Sequence, residues 1–93
     1  MAPELFKGQD FRLTLNSGID LTGNTLLQIL FKTPTGKVGA WTTTQILNSA
    51  FHDVTSTENN EGGEWRYQLY TEISGKKYFG EIVKKIVLET IVL

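Results

Sequence analysis

The chain has 93 residues and no cysteine, and nine Lys and Arg residues against ten Asp and Glu residues give it a formal net charge of −1. A chain of this length forms one domain and buries roughly 60–65% of its unfolded surface, and the lack of cysteine excludes disulfides and thiolate metal sites. The two signs of charge are interspersed, which disfavours a nucleic-acid partner because nucleic-acid binders concentrate basic residues on one face.

The N-terminus predicts neither a signal peptide nor a membrane anchor. Its first residues, MAPELFKGQDF, contain no basic stretch followed by an apolar run. No apolar segment in the chain reaches the roughly 20 residues that span a bilayer. We therefore expect one domain over residues 1–93 that is made in the cytoplasm and has no membrane partner. Within it, residues 1–9 could form a flexible N-terminal arm.

Two strands are predicted in the first third of the chain. Phe11, Leu13 and Leu15 alternate with polar residues, which predicts a strand with one apolar face. The run 25–33 is apolar at most positions, as in a strand at the centre of a sheet, so we expect it to be the best-buried strand. Pro, Thr and Gly at 34–36 predict the turn that ends it.

The middle of the chain is less regular. Segment 37–44 is rich in β-forming residues but contains Gly39, which in a strand marks a bulge or a close backbone approach. Trp41 is either a core residue or an exposed contact for a ligand or partner. The apolar spacing in 45–54 fits both a short helix and a strand, and we prefer a strand.

The next segment offers no catalytic or metal site. Residues 56–63 (STENNEGG) contain no apolar side chain, which predicts an exposed, mobile loop. Their acidic and amide groups lack the spacing of a calcium-binding hand-type loop, so we expect no metal. His52 has Asp53 beside it, but neighbours on a strand point to opposite faces. We therefore expect a surface histidine, no cofactor and no acid–base catalysis.

The most regular pattern lies in 62–87 and predicts a β-hairpin. One parity of its first half carries the large side chains, namely Trp65, Tyr67, Leu69, Thr71 and Ile73. This two-residue period is that of a strand with one face against a core, so we expect Trp65 to be a core anchor. Ser74 and Gly75 then form the turn, because glycine permits positive φ.

The C-terminal run is rich in β-branched residues, which favours a strand. The apolar residues shift from one face of the strand to the other near Lys84 and Lys85. One extra residue in a strand exchanges the two faces, so we expect a β-bulge there. Beyond it the apolar residues occupy both faces, and a two-layer sandwich covers only one of them. One set is Ile86, Leu88 and Val92, and the other is Val87, Ile91 and Leu93. The predicted partner-binding residues are Trp41, Val87, Ile91 and Leu93. The alternative for the C-terminal set is that the bulge and a slight over-run past the sheet leave these residues without a partner.

Six or seven short strands with turn signals between them predict an all-β fold, an immunoglobulin-like antiparallel β-sandwich. The Cys…Trp…Cys signature of antibody domains is absent. An enzyme is disfavoured, because no paired carboxylates, catalytic triad or phosphate loop can be assembled.

Two stretches carry a resemblance to a known family. Residues 19–25 (IDLTGNT) followed by 29–37 (ILFKTPTGK) resemble the core motif of the N-terminal domain of bacteriophage baseplate upper proteins and related tail modules. Residues 63–69 (GEWRYQL) are similar to a later strand of that family, and a polar turn with glycine follows in both. The similarity spans 11–92 but includes no family motif in 45–61.

The resemblance implies a structural protein of the virion, located in a baseplate, tail or head-to-tail joining device. Its expected partners are other phage structural proteins and further copies of itself. The alternative function, from a different class, is carbohydrate binding by a β-sandwich module that stacks exposed aromatic rings on sugars. Most of the aromatic rings of this chain are needed for the core. The candidate rings are Trp41, Trp65, Tyr67, Tyr70 and Tyr78.

Overall fold

The computed structural model describes residues 4–90. Strands account for 63% of them and none is in a helix, which confirms the all-β prediction. The strands are β1 (Leu5–Phe6), β2 (Phe11–Asn16), β3 (Asn24–Lys32), β4 (Val38–Thr42), β5 (Thr44–Ile46), β6 (Ser49–Val54), β7 (Gly63–Ile73) and β8 (Lys76–Leu88). These are eight rather than six or seven, because β1 and β5, of two and three residues, are too short to show an alternating pattern. None of the described residues forms a helix that could cross a membrane.

The strands form two sheets. Sheet A is curled and has the order β1-β8-β7-β3-β4, and sheet B has the order β2-β6-β5. Every pair is antiparallel except β1 with β8, which is parallel, so the prediction of purely antiparallel sheets is wrong for sheet A. Leu5 and Phe6, which the sequence placed in an N-terminal arm, pair with Val87 and Leu88 at the edge of this sheet.

The predicted hairpin of β7 and β8 is confirmed. Ser74 and Gly75 join the strands with φ of 53° and 76°, the two positive values of a type I′ hairpin turn. Trp65, Tyr67 and Leu69 point inward and are buried. Strand β7 lies in the middle of sheet A and has four buried residues.

Strand β3, which corresponds to the run 25–33, lies inside sheet A but is not its best-buried strand. Leu27 and Ile29 are buried, whereas Leu26 and Leu30 on the other parity are only half-buried. The prediction is wrong because a strand that is apolar on both parities is typical of a sheet covered on both faces, whereas sheet B packs against one face of sheet A only. Strand β7 is the best-buried strand instead.

The β-bulge in β8 lies at a different position from the predicted one. Pairing passes from Gln68 with Ile82 to Tyr70 with Phe79, which leaves Leu69 opposite two residues, Gly80 and Glu81. Lys84 and Lys85 stay in regular register with Arg66 and Trp65. A Cβ at Gly80 would lie 3.3 Å from the Leu69 Cβ, so the bulge occurs where the strands can approach this closely.

The turn at 34–36 and the segment that follows it form as the sequence predicts. Gly36 N–H donates to the Thr33 carbonyl over 2.9 Å and closes the turn. In β4, a Cβ at Gly39 would lie 2.5 Å from the Phe31 ring, which confirms a close approach. Segment 45–54 lies mostly in β5 and β6, so the preference for strand over helix is confirmed.

Candidate functional site

Trp41 lies in the core between the sheets and not at the surface. It is 8% exposed. Its ring stacks on Phe31 on one side, with centroids 4.4 Å apart, and on His52 on the other, at 4.7 Å. This corrects the expectation of an exposed partner-binding aromatic, because both faces of the indole are covered. Trp65 and Tyr67 are also buried, and burial raises the pKa of the Tyr67 phenol.

Of the predicted partner-binding residues at the C-terminus, the structure describes only Val87. Val87 is 2% exposed and belongs to the core, whereas its neighbours Ile86 and Leu88 are exposed. The alternation is as predicted, but Val87 lies on the inward face and Ile86 and Leu88 lie on the outward face. Ile91 and Leu93 lie outside the described residues.

The outer face of sheet A, opposite sheet B, carries most of the exposed apolar surface. Three large side chains of β8 point outward there: Phe79, Ile82 and Ile86, which are 60%, 58% and 59% exposed. They pair with Tyr70, Gln68 and Glu64 of β7, all on the parity opposite to the core residues. We call these three side chains the β8 apolar row. Several large exposed apolar side chains on one face, with Lys84 between Ile82 and Ile86, are typical of interaction sites in soluble proteins.

Beside this row, a groove of about 660 Å³ crosses four strands of the outer face. Its outward-facing lining residues fall into two neighbouring cross-strand rows. One row is Ala40, Leu30, Gln68 and Ile82, and the other is Val38, Lys32 and Arg66. We call this the outer groove. Its first row is largely apolar and its second is largely cationic.

The cationic side of the outer groove continues onto β8. Lys32 pairs with Arg66, and Arg66 pairs with Lys84, so three cations lie side by side on three strands. We call them the basic row. The Arg66 guanidinium lies 3.2 Å from the Glu64 carboxylate, whereas no carboxylate of residues 4–90 lies within 4.0 Å of the Lys32 or Lys84 ammonium. The three cations of the basic row and the carboxylate of Glu64 together carry a charge of +2, although the net charge of the whole chain is −1.

The edge of β8 is less suited to binding than the face. Strand β1 pairs only with Val87 and Leu88, which leaves the rest of this long strand without a neighbour on that side among the described residues. However, β8 carries four lysines, and the bulge at Gly80 and Glu81 interrupts its regular pairing. Lysines and bulges are the features by which proteins prevent edge strands from pairing with other chains.

The loop at 56–63 is held in place at its centre, which corrects the expectation of a wholly exposed loop. Asn59 is buried, and its Nδ2 donates to the carbonyls of Phe6 and Gln9 over 2.8 and 3.0 Å. Its own carbonyl accepts from Gly8 N–H over 2.7 Å. The sequence of the loop gave no sign of these contacts, because they depend on an amide and backbone groups.

His52 is half-buried rather than a surface residue. Its Nε2 lies 3.0 Å from Glu58 Oε1. Asp53 points to the other face, where Arg12 Nε donates to it over 2.7 Å, and this hydrogen bond lowers the pKa of the Asp53 carboxyl. The pair does not form a catalytic dyad. Within residues 4–90, no three His, Asp or Glu side chains come together as a metal site.

Sequence reasoning missed the outer groove and the basic row. The residues of the basic row come from β3, β7 and β8, and only the strand register brings them together. A usable signal was present, since Arg66 lies on the parity opposite to Trp65 and Tyr67. Assigning that parity to an uncovered face would have placed Arg66 outward.

Comparison of the chain with protein-family models, with curated proteins and with solved structures finds no match. The resemblance to bacteriophage baseplate modules therefore stays a prediction from the sequence.

Proposed function

We propose that the chain is a structural protein without enzymatic activity, and that it works by protein–protein association through the outer face of sheet A. The observation that carries this proposal is the β8 apolar row, three large side chains that are each more than half exposed. Covering a Phe or Ile side chain contributes about 1.5–3 kcal/mol. Three of them on one strand provide a substantial driving force for association.

We further propose that the two sheets form an immunoglobulin-like sandwich. Support comes from the strand order. The order β2-β6-β5 in sheet B follows the B-E-D order of immunoglobulin domains, and β8-β7-β3-β4 in sheet A follows their G-F-C-C′ order. This proposal concerns topology alone, since the fold hosts many unrelated functions.

The setting that we propose is a bacteriophage particle, in its baseplate, tail or head-to-tail joining device. The support is the sequence resemblance of 19–37 and 63–69 to phage baseplate modules. In that setting the partners are other phage structural proteins and further copies of this chain, and the protein is made in the host cytoplasm. A carbohydrate-binding role has less support, because Trp41, Trp65 and Tyr67 are buried and cannot stack on a sugar.

Light scattering on the purified protein tests the association. We expect the wild type to form a closed or concentration-dependent oligomer. A double variant, Phe79→Lys with Ile86→Lys, should lower the mass because it places two charges in the β8 apolar row. Leu47→Lys is the matched control, since Leu47 is exposed in the turn between β5 and β6. A monomeric wild type at high concentration, or a double variant of unchanged mass, would count against the proposal.

A further inference from the structure

The outer groove has two chemically different sides at a defined spacing. Leu30 and Lys32 are two residues apart on β3. The largely apolar row of the groove (Ala40, Leu30, Gln68 and Ile82) therefore lies about 6.6 Å from the basic row. The largely apolar row crosses four neighbouring strands and is about 14 Å long, whereas the basic row crosses three strands and is about 10 Å long. Gln68, in the apolar row, donates from Nε2 to the Gly80 carbonyl over 2.9 Å. This hydrogen bond occupies the one polar side chain of that row.

The basic row has fewer negative charges beside it than positive charges within it. Like charges directly opposite each other on neighbouring strands destabilise a sheet. Glu64 offsets one of the three cations. A bound group with two or more carboxylates would relieve the remaining repulsion and gain from the field of the row.

We propose that the outer groove binds an extended acidic segment of a partner protein, in which carboxylate and apolar side chains alternate. Successive side chains of an extended chain point to opposite sides. A segment that runs along the seam between the two rows therefore directs one set of side chains to Leu30, Ala40 and Ile82. The other set reaches Lys32, Arg66 and Lys84. About four residues of such a segment span the groove, given a rise of about 3.3 Å per residue.

A protein segment fits the groove better than a nucleic acid does. Nucleic-acid surfaces combine basic residues with aromatic side chains on which bases stack. The outward-facing lining of the outer groove contains no aromatic residue. The chain as a whole is also slightly negative, which disfavours a polyanion that extends beyond the groove.

Fluorescence anisotropy with a labelled peptide of about eight residues, alternating Glu and Leu, tests the proposal on the full chain. We expect the peptide to bind and its binding to weaken as salt is raised. Lys32→Gln with Lys84→Gln should weaken binding about tenfold, because two ion pairs are lost. Lys77→Gln is the matched control. It lies on the same face beside Glu72, at the far end of the hairpin, and should leave the affinity within about twofold.

Five results would overturn the proposal. Four come from binding: no binding of the peptide, equal binding by the double variant, equal binding of a Gln-Leu peptide, and tighter binding of a thymidine oligonucleotide of similar length. The fifth is a lower oligomeric mass of the double variant, which would assign the groove to a second copy. The proposal deepens the proposed association function. The two fail separately, because light scattering tests self-association through Phe79 and Ile86, whereas the peptide tests the lysines.

Discussion

Trp65 is the residue that most directly connects the sequence pattern to the stability of the fold. Its buried ring lies 6.1 Å from that of Tyr67, and its indole N–H donates to the Glu61 carbonyl over 2.8 Å. Trp65→Ala leaves a cavity in the core and should lower the free energy of unfolding by about 3–5 kcal/mol. That is most of the stability of a small domain. Chemical denaturation followed by circular dichroism measures the loss.

Trp65→Phe serves as the control for this substitution. It keeps an aromatic ring in the core but removes the hydrogen bond to Glu61, so its loss should be clearly smaller than that of the alanine variant. An alanine variant as stable as the wild type would show that Trp65 is not a core anchor.

Glu58 couples the stability of the fold to pH. Burial alone opposes its ionisation, but the hydrogen bonds with Thr55 and His52 outweigh this and hold its pKa below the ordinary value of 4.5. The folded state therefore favours the charged carboxylate. This contribution to stability is complete well above pH 4.5 and is lost as the pH falls through the lower folded-state pKa. We expect Glu58→Gln to reduce stability at neutral pH and to make it less sensitive to acid.

Urea denaturation at a series of pH values between neutral and acidic measures this coupling. The exposed Glu81→Gln on β8 is the control for removal of one negative charge. If the Glu58→Gln variant lost stability with acid as steeply as the wild type, the stabilisation of the Glu58 carboxylate by its neighbours would be refuted.

Among the elements, the N-terminal segment and the loop at 56–63 depend on each other through Asn59. Its side-chain amide holds the carbonyls of Phe6 and Gln9 on either side of the turn that follows β1. Asn59→Ala leaves these carbonyls without their donor and should cost about 1–3 kcal/mol. Because β1 has only two residues in the sheet, we expect faster hydrogen exchange in 4–9 and in the loop.

Asn60→Ala is the matched control, since Asn60 is the exposed neighbour of Asn59 in the same loop. Hydrogen exchange followed by mass spectrometry should show faster exchange in 4–9 for Asn59→Ala but not for Asn60→Ala. The same exchange in both variants would mean that the amide of Asn59 does not hold the segment.

The elements also show where prediction from the sequence succeeds. The hairpin was predictable because β7 alternates strictly and its turn contains Gly75. The bulge was misplaced because the change of apolar phase at Lys84 and Lys85 is visible in the sequence, whereas the close approach of Gly80 to Leu69 is not. The centre of the loop was missed because Asn59 is a polar residue that becomes buried through contacts distant in the chain.

At the scale of the whole molecule, alternation was sufficient to predict an all-β domain but not which face of each strand is covered. Val87 and Ile86 are neighbours with equally apolar side chains, and only the packing of sheet B decides that Val87 is buried. The basic row likewise requires the register of three strands. Such long-range information is absent from local patterns, so the outer face of sheet A could be identified only from the fold.

The claim that the outer face of sheet A is the association surface can be tested with a single chemical reporter. The chain has no cysteine, so Lys77→Cys places the only thiol beside Phe79 on that face and outside the basic row, and Thr44→Cys places one on sheet B as a control. We expect alkylation of the Lys77→Cys variant by a maleimide to slow as the protein concentration rises, while the Thr44→Cys variant reacts at a constant rate. An alkylation rate for Lys77→Cys that does not depend on protein concentration would contradict the claim.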